Sequence, residues 1–226
     1  MMIRIIITLI ILIYASILDW KYREIDDKSW ITPLLLGIFF LFYDYYRFKT
    51  MALMKTYFFS IAIAFILAVF LYYSGLMGGG DGKILIGIAS MFPYFPYETF
   101  SIFPLFVLSV FSNAIVVSLI IPLIFFFYNL RRRVKPTNLK EFCMLFLGYK
   151  KKIKYMREFE VIMDKIFIRA KDIDMYLDSK GKEKVTGDEE VWVTPALPFV
   201  IPITIGFLIS LKYGDLISCI VVKLYE

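Results

Sequence analysis

Six long apolar segments constrain the fold of this 226-residue chain more than any other feature. They cover residues 3–18, 30–43, 57–73, 84–95, 102–128 and 196–211. An alternative boundary extends the sixth segment to residues 216–222. A membrane-spanning helix needs about 20 predominantly apolar residues, so the fourth segment requires tilt or local thinning of the bilayer. Apolar residues make up 60% of the chain, against about 45–50% in soluble proteins. We therefore predict an all-α polytopic membrane protein with six transmembrane helices.

One stretch differs from the apolar segments in its charge. Residues 131–192 carry 16 Lys or Arg and 11 Asp or Glu, so we predict a small water-facing insertion, α+β in character, before the last helix. A helix is expected near residues 138–149 and strands near 161–173 and 191–194. The segment "DSKGKEK", residues 178–184, is expected to be a turn.

The predicted divisions are residues 1–130 with five helices, the insertion at 131–192, and residues 193–226 with the sixth helix and the C-terminus. If all six segments cross, the insertion and the loops at 19–29 and 75–83 lie on one side of the membrane. That side then holds 20 of the 26 Lys and Arg residues. Because these residues accumulate on the inner side of membrane proteins, we expect it to face the cytoplasm.

The absence of histidine narrows the chemistry that the chain can perform. It excludes Ser-His and Cys-His catalysis and the histidine-based zinc motifs. The two cysteines, Cys143 and Cys219, form no Cys-x-x-Cys pair and cannot supply a four-cysteine zinc site. Any chemistry must then use carboxylates, lysine, tyrosine, serine or a cofactor. For a reaction performed by carboxylates alone, we expect no metal or other cofactor.

Because successive spans cross the membrane in opposite directions, two aspartates of this chain are expected on the same face of it. Asp19 ends the first segment in "ILDWKYREID", and Asp81 precedes the fourth in "GGGDGK". An acid near the hydrocarbon is costly and usually faces the interior of a helix bundle or a wet cavity. Two neighbouring carboxylates hold one proton between them, so one can take a proton from water while the other donates to a scissile carbonyl oxygen. We predict a catalytic dyad; the alternative for each acid is a helix cap.

Glycines cluster directly before the second aspartate, in "GLMGGGDGK". A Walker phosphate loop is excluded, because Met77 stands at its first glycine and Ile84 follows Lys83 where Ser or Thr is required. Glycine also permits positive φ and close approach of another chain, and a protease must hold its substrate extended. We therefore expect peptide binding here, with a structural hinge as the alternative. The residues concerned are Gly78, Gly79 and Gly80.

The sequence at 78–81 resembles Gly-x-Gly-Asp, the signature of the intramembrane aspartyl proteases. The resemblance is closest to the archaeal preflagellin peptidases, which are related to the bacterial type IV prepilin peptidases. "DWKYREI" is similar to an Asp-x-x-x-Arg-x-Ile stretch of these enzymes, with Asp19 and Arg23 in matching places. Asp26 and Asp27 stand where bacterial members often have Pro-Asn, and the bacterial cysteine-rich domain linked with N-methylation is missing.

The resemblance implies a membrane aspartyl endopeptidase that cleaves the short leader from archaeal preflagellins on the cytoplasmic side. It implies Asp19 and Asp81 as the catalytic pair, no N-methylation, and a substrate with a basic segment, a cleaved bond after glycine, and then an apolar helix. "TPALPFVIP" is similar to the Pro-Ala-Leu element that presenilins set beside their active site; a proline-marked helix entry is the alternative. The matching residues are Pro195, Ala196 and Leu197. The implied partners are preflagellin or pilin-like precursors and membrane lipid, without nucleic acid.

Two other classes of function stay open. A polytopic transporter or ion-pathway protein would use Asp19 and Asp81 as cation or proton ligands, although the chain shows no paired repeat. A scaffold subunit would dock a partner or anionic lipid through the basic insertion. Shortening of a preflagellin by the purified protein separates these three hypotheses.

Overall fold

The structure, a computed structural model, describes residues 1–74, 77–99, 101–157, 159–163, 168–169 and 190–225. The chain forms two compact units. Unit 1 comprises Met1–Val117 and Pro198–Glu226, and unit 2 comprises Ser118–Leu197. Each unit has buried hydrophobic clusters of its own.

Helices form most of the described chain and follow the apolar segments. In chain order they are α1 (Met2–Tyr22), α2 (Lys28–Phe48), α3 (Met51–Tyr73), α4 (Gly79–Met91), α5 (Phe106–Ser118), α6 (Ile120–Arg131), α7 (Leu139–Leu147), α8 (Val200–Tyr213) and α9 (Leu216–Tyr225). The fifth predicted segment is divided into α5 and α6, and the extension of the sixth is a separate helix, α9.

Within the part of the chain that the structure describes, three helical stretches are long and apolar enough to cross a membrane: Met2–Tyr22, Met51–Tyr73 and Phe106–Arg131. A fourth candidate is the pair formed by Val200–Tyr213 and Leu216–Lys223, which is bent by 50°. The prediction of a mostly helical membrane protein is therefore confirmed. With 13 residues, α4 covers about 20 Å, short of a hydrocarbon core of about 30 Å. The number of six crossings stays a prediction.

The α4 helix lies in the core of unit 1 and packs against α2 and α3. A small residue allows close approach: a Cβ added to Gly87 would lie 2.8 Å from Cγ of Pro33 in α2. The fully buried side chains of α4 include Ile84, Leu85, Ile88, Ala89 and Met91. Because α4 is enclosed by two helices, its first turn is held in a defined position.

A buried ion pair links the first two helices near the start of α1. Nη2 of Arg4 lies 2.6 Å from Oδ2 of Asp44, and the Tyr94 hydroxyl donates to the same oxygen at 3.1 Å. Charges buried in this way are stable only when they are paired. Arg4 and Asp19 are about 22 Å apart along α1, so Asp44 is remote from the first predicted catalytic acid.

The interruption between α8 and α9 leaves backbone groups that polar side chains satisfy. Asn113 of α5 donates to the Gly214 carbonyl at 2.8 Å and accepts the Leu216 N–H at 2.8 Å. The Asp215 carboxylate accepts a hydrogen bond of 2.7 Å from Ser101. Such partners are required wherever a helix is interrupted at membrane depth.

The described residues of unit 2 form α6, α7 and an antiparallel sheet of four strands in the order β1-β4-β2-β3. Its strands are β1 (Tyr149–Lys152), β2 (Glu160–Ile162), β3 (Ile168–Arg169) and β4 (Glu190–Pro195). The helix predicted near residues 138–149 is confirmed as α7, and Asn138 caps it by accepting the Glu141 N–H at 2.8 Å. Strands were predicted close to β2, β3 and β4, whereas residues 170–173 and the turn at 178–184 lie outside the described residues.

Candidate active site

Asp19 lies in the last turn of α1 and is only 7% exposed. Its Oδ2 accepts the main-chain N–H of Val200 at 3.1 Å. Val200 is the first residue of α8, and the first N–H groups of a helix have no partner within that helix. Asp19 therefore occupies the N-terminus of α8, where the partial positive charge of the helix end suits a carboxylate.

Asp81 lies in the first turn of α4, three residues after the N-cap residue Gly78. Its Oδ2 accepts the Gly78 N–H at 3.2 Å, so Asp81 also helps to close the start of the helix. It precedes the apolar part of α4, which begins at Ile84. Burial, together with the negative charge of Asp19, raises the pKa of Asp81 to about 7.

The two aspartates belong to different helices of unit 1 and interact electrostatically. The negative charge of Asp19 contributes to the raised pKa of Asp81, after burial; such an effect weakens with distance and with screening by water. Each carboxylate also accepts a main-chain N–H at the start of a helix. Such a pair can hold one proton in common; its catalytic role stays a prediction.

The glycines before the second aspartate do not adopt a left-handed conformation. Gly78 has a φ of −68° and Gly79 begins α4; among the described glycines, only Gly214 has a positive φ. Gly80 lies against Ile25, since an added Cβ would be 2.8 Å from Cδ1 of that side chain. Glycine at position 80 therefore allows close packing against Ile25. The binding of a peptide by the three glycines stays a prediction.

Sequence reasoning missed Gly82, which directly follows the second aspartate. A Cβ at this position would lie 2.8 Å from Cβ and 3.3 Å from Cα of Ala68 in α3. Gly82 thus permits the close approach of α4 to α3 beside Asp81. The sequence feature that could have predicted this contact is the repeated spacing of small residues, because small residues mark close contacts between helices in membranes.

The main-chain N–H of Val200 was missed as well. The prolines at positions 195 and 198 precede an apolar run, a pattern that marks a helix start. A helix start attracts carboxylates. This signal predicts a polar partner for α8 without identifying Asp19 as that partner.

Asp27, a nearby rival acid, is engaged at the surface. Its Oδ1 lies 2.8 Å from Nζ of Lys83 and accepts the indole N–H of Trp30 at 2.9 Å. These hydrogen bonds from Lys83 and Trp30 lower the pKa of Asp27. An exposed carboxylate that is held ionised by a lysine is unsuited to share a proton, which favours Asp19 and Asp81 as the acids of the site.

The predicted Pro-Ala-Leu element falls in unit 2. Pro195 ends β4 opposite Glu160 of β2, and the Ala196 N–H donates to the Phe159 carbonyl at 2.7 Å. Leu197 is 44% exposed. The element is thus a strand end followed by exposed residues, and its place beside the active site stays a prediction.

A groove of about 350 Å³ lies between α1 and α8. Its lining residues are Ile13, Ser16, Ile17, Trp20, Ile201, Thr204 and Ile205. The Ser16 and Thr204 hydroxyls are hydrogen-bonded to each other at 2.9 Å, which leaves the groove predominantly apolar. Because Ser16 and Trp20 flank Asp19 along α1, the groove runs from the neighbourhood of Asp19 toward the middle of the helix.

The described residues contain no group of three or more His, Cys, Asp or Glu side chains that could hold a metal ion. Cys143 and Cys219 are both free thiols. The expectation that the reaction needs no cofactor stays a prediction.

Two family models match the N-terminal and the C-terminal part of the chain, and known proteins match nearly all of it. The model of the type IV leader peptidase family matches residues 6–132, and a model described as archaeal peptidase A24 C-terminus type II matches residues 121–216. The chain is 33% identical over 228 residues to a preflagellin peptidase of Methanococcus maripaludis, which covers 95% of this chain and 96% of the relative. It is 32% identical over 238 residues to a preflagellin peptidase of Methanocaldococcus jannaschii, with 99% of each chain covered. A preflagellin peptidase of Methanococcus voltae is 31% identical over 231 residues, or 94% of this chain and 96% of the relative.

Proposed function

Since the chain belongs to the type IV leader peptidase family, we propose that it is a membrane aspartyl endopeptidase that removes leader peptides from preflagellins. The observation that carries this proposal is that Asp19 and Asp81 each accept a main-chain N–H at the start of a helix, and that burial and the charge of Asp19 raise the pKa of Asp81. Both acids lie within residues 6–132, the part of the chain that the family model matches.

In the proposed reaction, one carboxylate is ionised and the other is protonated. The ionised carboxylate takes a proton from water while the water oxygen attacks the carbonyl carbon of the scissile bond, and the protonated carboxyl donates to the carbonyl oxygen. In the second step the C–N bond breaks, the leaving amine takes the proton that came from water, and the other carboxylate recovers its own. The pair ends as it began, with one proton and no covalent intermediate.

The two acids have different roles before the substrate is attacked. A pKa of about 7 for Asp81 supports its assignment as the protonated member, which donates to the carbonyl oxygen. Asp19 is then the ionised member and the general base. Both carboxylates accept a main-chain N–H, so these hydrogen bonds stabilise the ionised form of whichever acid is deprotonated and do not separate the two roles.

The groove between α1 and α8 accommodates the apolar part of the precursor that follows the cleaved bond. From Ile13 to Trp20 the groove follows α1 for about 10 Å, or two helical turns. A helix that lies along its apolar walls would lead its preceding residues to Asp19. The extended residues around the scissile bond would contact the main chain of Gly78, Gly79 and Gly80, which precede Asp81. The resemblance of Pro195, Ala196 and Leu197 to the Pro-Ala-Leu element makes these three residues a second proposed contact for the substrate.

The proposed enzyme crosses the membrane with all six apolar segments and has its active site on the cytoplasmic side. The charge distribution supports this orientation, because 20 of the 26 Lys and Arg residues then face the cytoplasm. Residues 1–130 carry both aspartates, and residues 131–192 form a water-facing domain before the last crossing.

The decisive experiment is cleavage of a preflagellin by the purified full-length protein, with the products identified by mass spectrometry. Asp19→Asn and Asp81→Asn are each expected to lower the cleavage rate by about 100-fold or more, because each removes a general acid or base. Glu24→Gln is the matched control: it is an exposed residue near Asp19, makes the same change of charge, and should leave the rate unchanged. A chelator should have no effect.

Near-normal cleavage by either asparagine variant would remove that residue from the mechanism. If the wild-type protein leaves the precursor intact, the proposed activity itself is wrong. Proton or cation flux through wild-type protein in vesicles, without cleavage, would favour an ion pathway that uses the same acids.

A further inference from the structure

A cavity of about 440 Å³ in unit 2 combines an apolar wall with a cationic one. The apolar wall is formed by Ile124, Phe125 and Tyr128 of α6, and the cationic wall by Arg132, Lys151 and Arg157. We call this cavity the α6 pocket. Its two walls differ in chemistry in the same way as the two ends of a phospholipid.

The apolar wall belongs to a membrane span. Residues 120–131 form the second part of Phe106–Arg131, which is long and apolar enough to cross a bilayer. Ile124, Tyr128 and Arg132 are spaced by four residues and therefore lie on one side of the helix. This stripe passes from apolar through aromatic to cationic within about 12 Å, as expected where a span leaves the hydrocarbon core.

The cationic wall has an excess of positive charge. Nζ of Lys151 is held by the two carboxylate oxygens of Glu160, at 2.8 Å each. Nη1 of Arg132 donates a hydrogen bond to the Lys150 carbonyl at 3.0 Å. The other N–H groups of its planar guanidinium have fixed directions that match the oxygens of a phosphate. Arg157 is exposed. Among the described residues, three cations thus lie near one carboxylate, Glu160, at this pocket.

We infer that the α6 pocket binds an anionic phospholipid. The headgroup phosphate lies between Arg132 and Arg157, where guanidinium groups can form paired hydrogen bonds with its oxygens. An acyl chain lies against Ile124 and Phe125, on the surface of the span. A soluble anion would gain nothing from the apolar wall. A zwitterionic lipid such as phosphatidylcholine also has a phosphate, but its choline cation is repelled by the arginines and it has no net negative charge to attract them. This site is independent of the aspartates and of the proposed peptidase activity.

The test uses purified full-length protein in neutral detergent and counts bound lipids by native mass spectrometry. Phosphatidylglycerol and phosphatidylcholine with identical chains are compared, together with soluble glycerol phosphate. We expect wild-type protein to bind phosphatidylglycerol at least about tenfold more tightly than phosphatidylcholine, since each basic residue near a membrane surface contributes severalfold to the affinity for anionic lipid. Glycerol phosphate alone should bind weakly.

The double variant Arg132→Gln/Arg157→Gln should lose this preference. Lys135→Gln/Lys140→Gln is the matched control: it removes two exposed charges of unit 2 outside the pocket and should retain the preference. Ile124→Asn should weaken phosphatidylglycerol binding without changing that of glycerol phosphate. Thermal unfolding verifies that the variants are folded. Equal loss in both double variants, or equal affinity for glycerol phosphate and the lipid, would overturn the inference.

Discussion

The main-chain N–H of Val200 donates a hydrogen bond of 3.1 Å to the carboxylate of Asp19, which is 181 residues earlier in the chain. The bond joins the end of α1 to the start of α8. It gives a buried carboxylate one of the donors that it needs and satisfies an N–H that has no partner within its own helix. The orientation of Asp19 is therefore determined before a substrate arrives.

Replacing Val200 by proline tests this hydrogen bond. Val200→Pro removes the N–H at the first position of a helix, where proline is common. Because Phe199 has helical dihedral angles (φ −80°, ψ −16°) that a following proline disfavours, thermal unfolding is measured first to verify that the variant is folded. We expect kcat for precursor cleavage to fall about tenfold, because a hydrogen bond to a charged group contributes roughly 1.5–3 kcal/mol. Val200→Ala keeps the N–H and reports the effect of the lost side-chain volume. Equal kcat values for the two variants would show that the hydrogen bond does not contribute.

The raised pKa of Asp81 predicts how cleavage depends on pH. At a pH below about 7, Asp81 holds its proton and can donate it to the carbonyl oxygen. As the pH rises through this value the proton is lost, so kcat/KM should fall on the alkaline side near neutrality. It should also fall in acid, where the second carboxylate becomes protonated, which gives a bell-shaped profile. The measurement is kcat/KM from pH 4 to about 9; a rate that stays constant above neutrality would contradict the assignment of Asp81 as the acid.

The contact between Gly82 and Ala68 predicts a pair of compensating substitutions. Gly82→Ala places a Cβ 2.8 Å from that of Ala68, and overpacking of this kind costs about 1–3 kcal/mol. We expect a lower melting temperature and reduced cleavage, because α4 must move and carries Asp81 with it. Adding Ala68→Gly removes one of the two colliding methyl groups and should restore part of both quantities. If the double variant is no better than Gly82→Ala, the close helix contact is not the cause.

The proposed role of the groove between α1 and α8 is tested by filling it. Ile17→Trp adds bulk inside the groove, whereas Ile10→Trp makes the same change at an exposed position of α1 outside it. KM for a complete precursor should rise severalfold with Ile17→Trp alone. A short soluble peptide that spans the cleaved bond without the apolar helix should be cleaved equally by both variants. A similar increase in KM for both substrates would place the effect at the aspartates instead.

Local features of the sequence predicted the parts of the structure that depend on local physics. Long apolar runs predicted the helices of unit 1, because main chain in a membrane must satisfy its hydrogen bonds internally. The mixed polar and apolar pattern predicted a helix near residues 138–149, and α7 covers Leu139–Leu147, because the periodicity of a helix depends on residues within a few turns. The exact ends of the helices could not be predicted as well from the sequence: α4 begins at Gly79, five residues before the apolar segment at 84–95.

By itself, the sequence determined that this protein is a membrane protein rich in helices, that it lacks histidine chemistry, and that Asp19 and Asp81 are its strongest candidate acids. These conclusions follow from composition, hydropathy and short motifs, which involve residues adjacent in the chain. Only the tertiary structure decided that Val200 is a hydrogen-bond donor to Asp19, that Gly82 lies against Ala68, and that Asp27 is engaged by Lys83. Each of these contacts joins residues of different helices or their ends, and its geometry is set by the packing of whole helices rather than by any local preference of the chain.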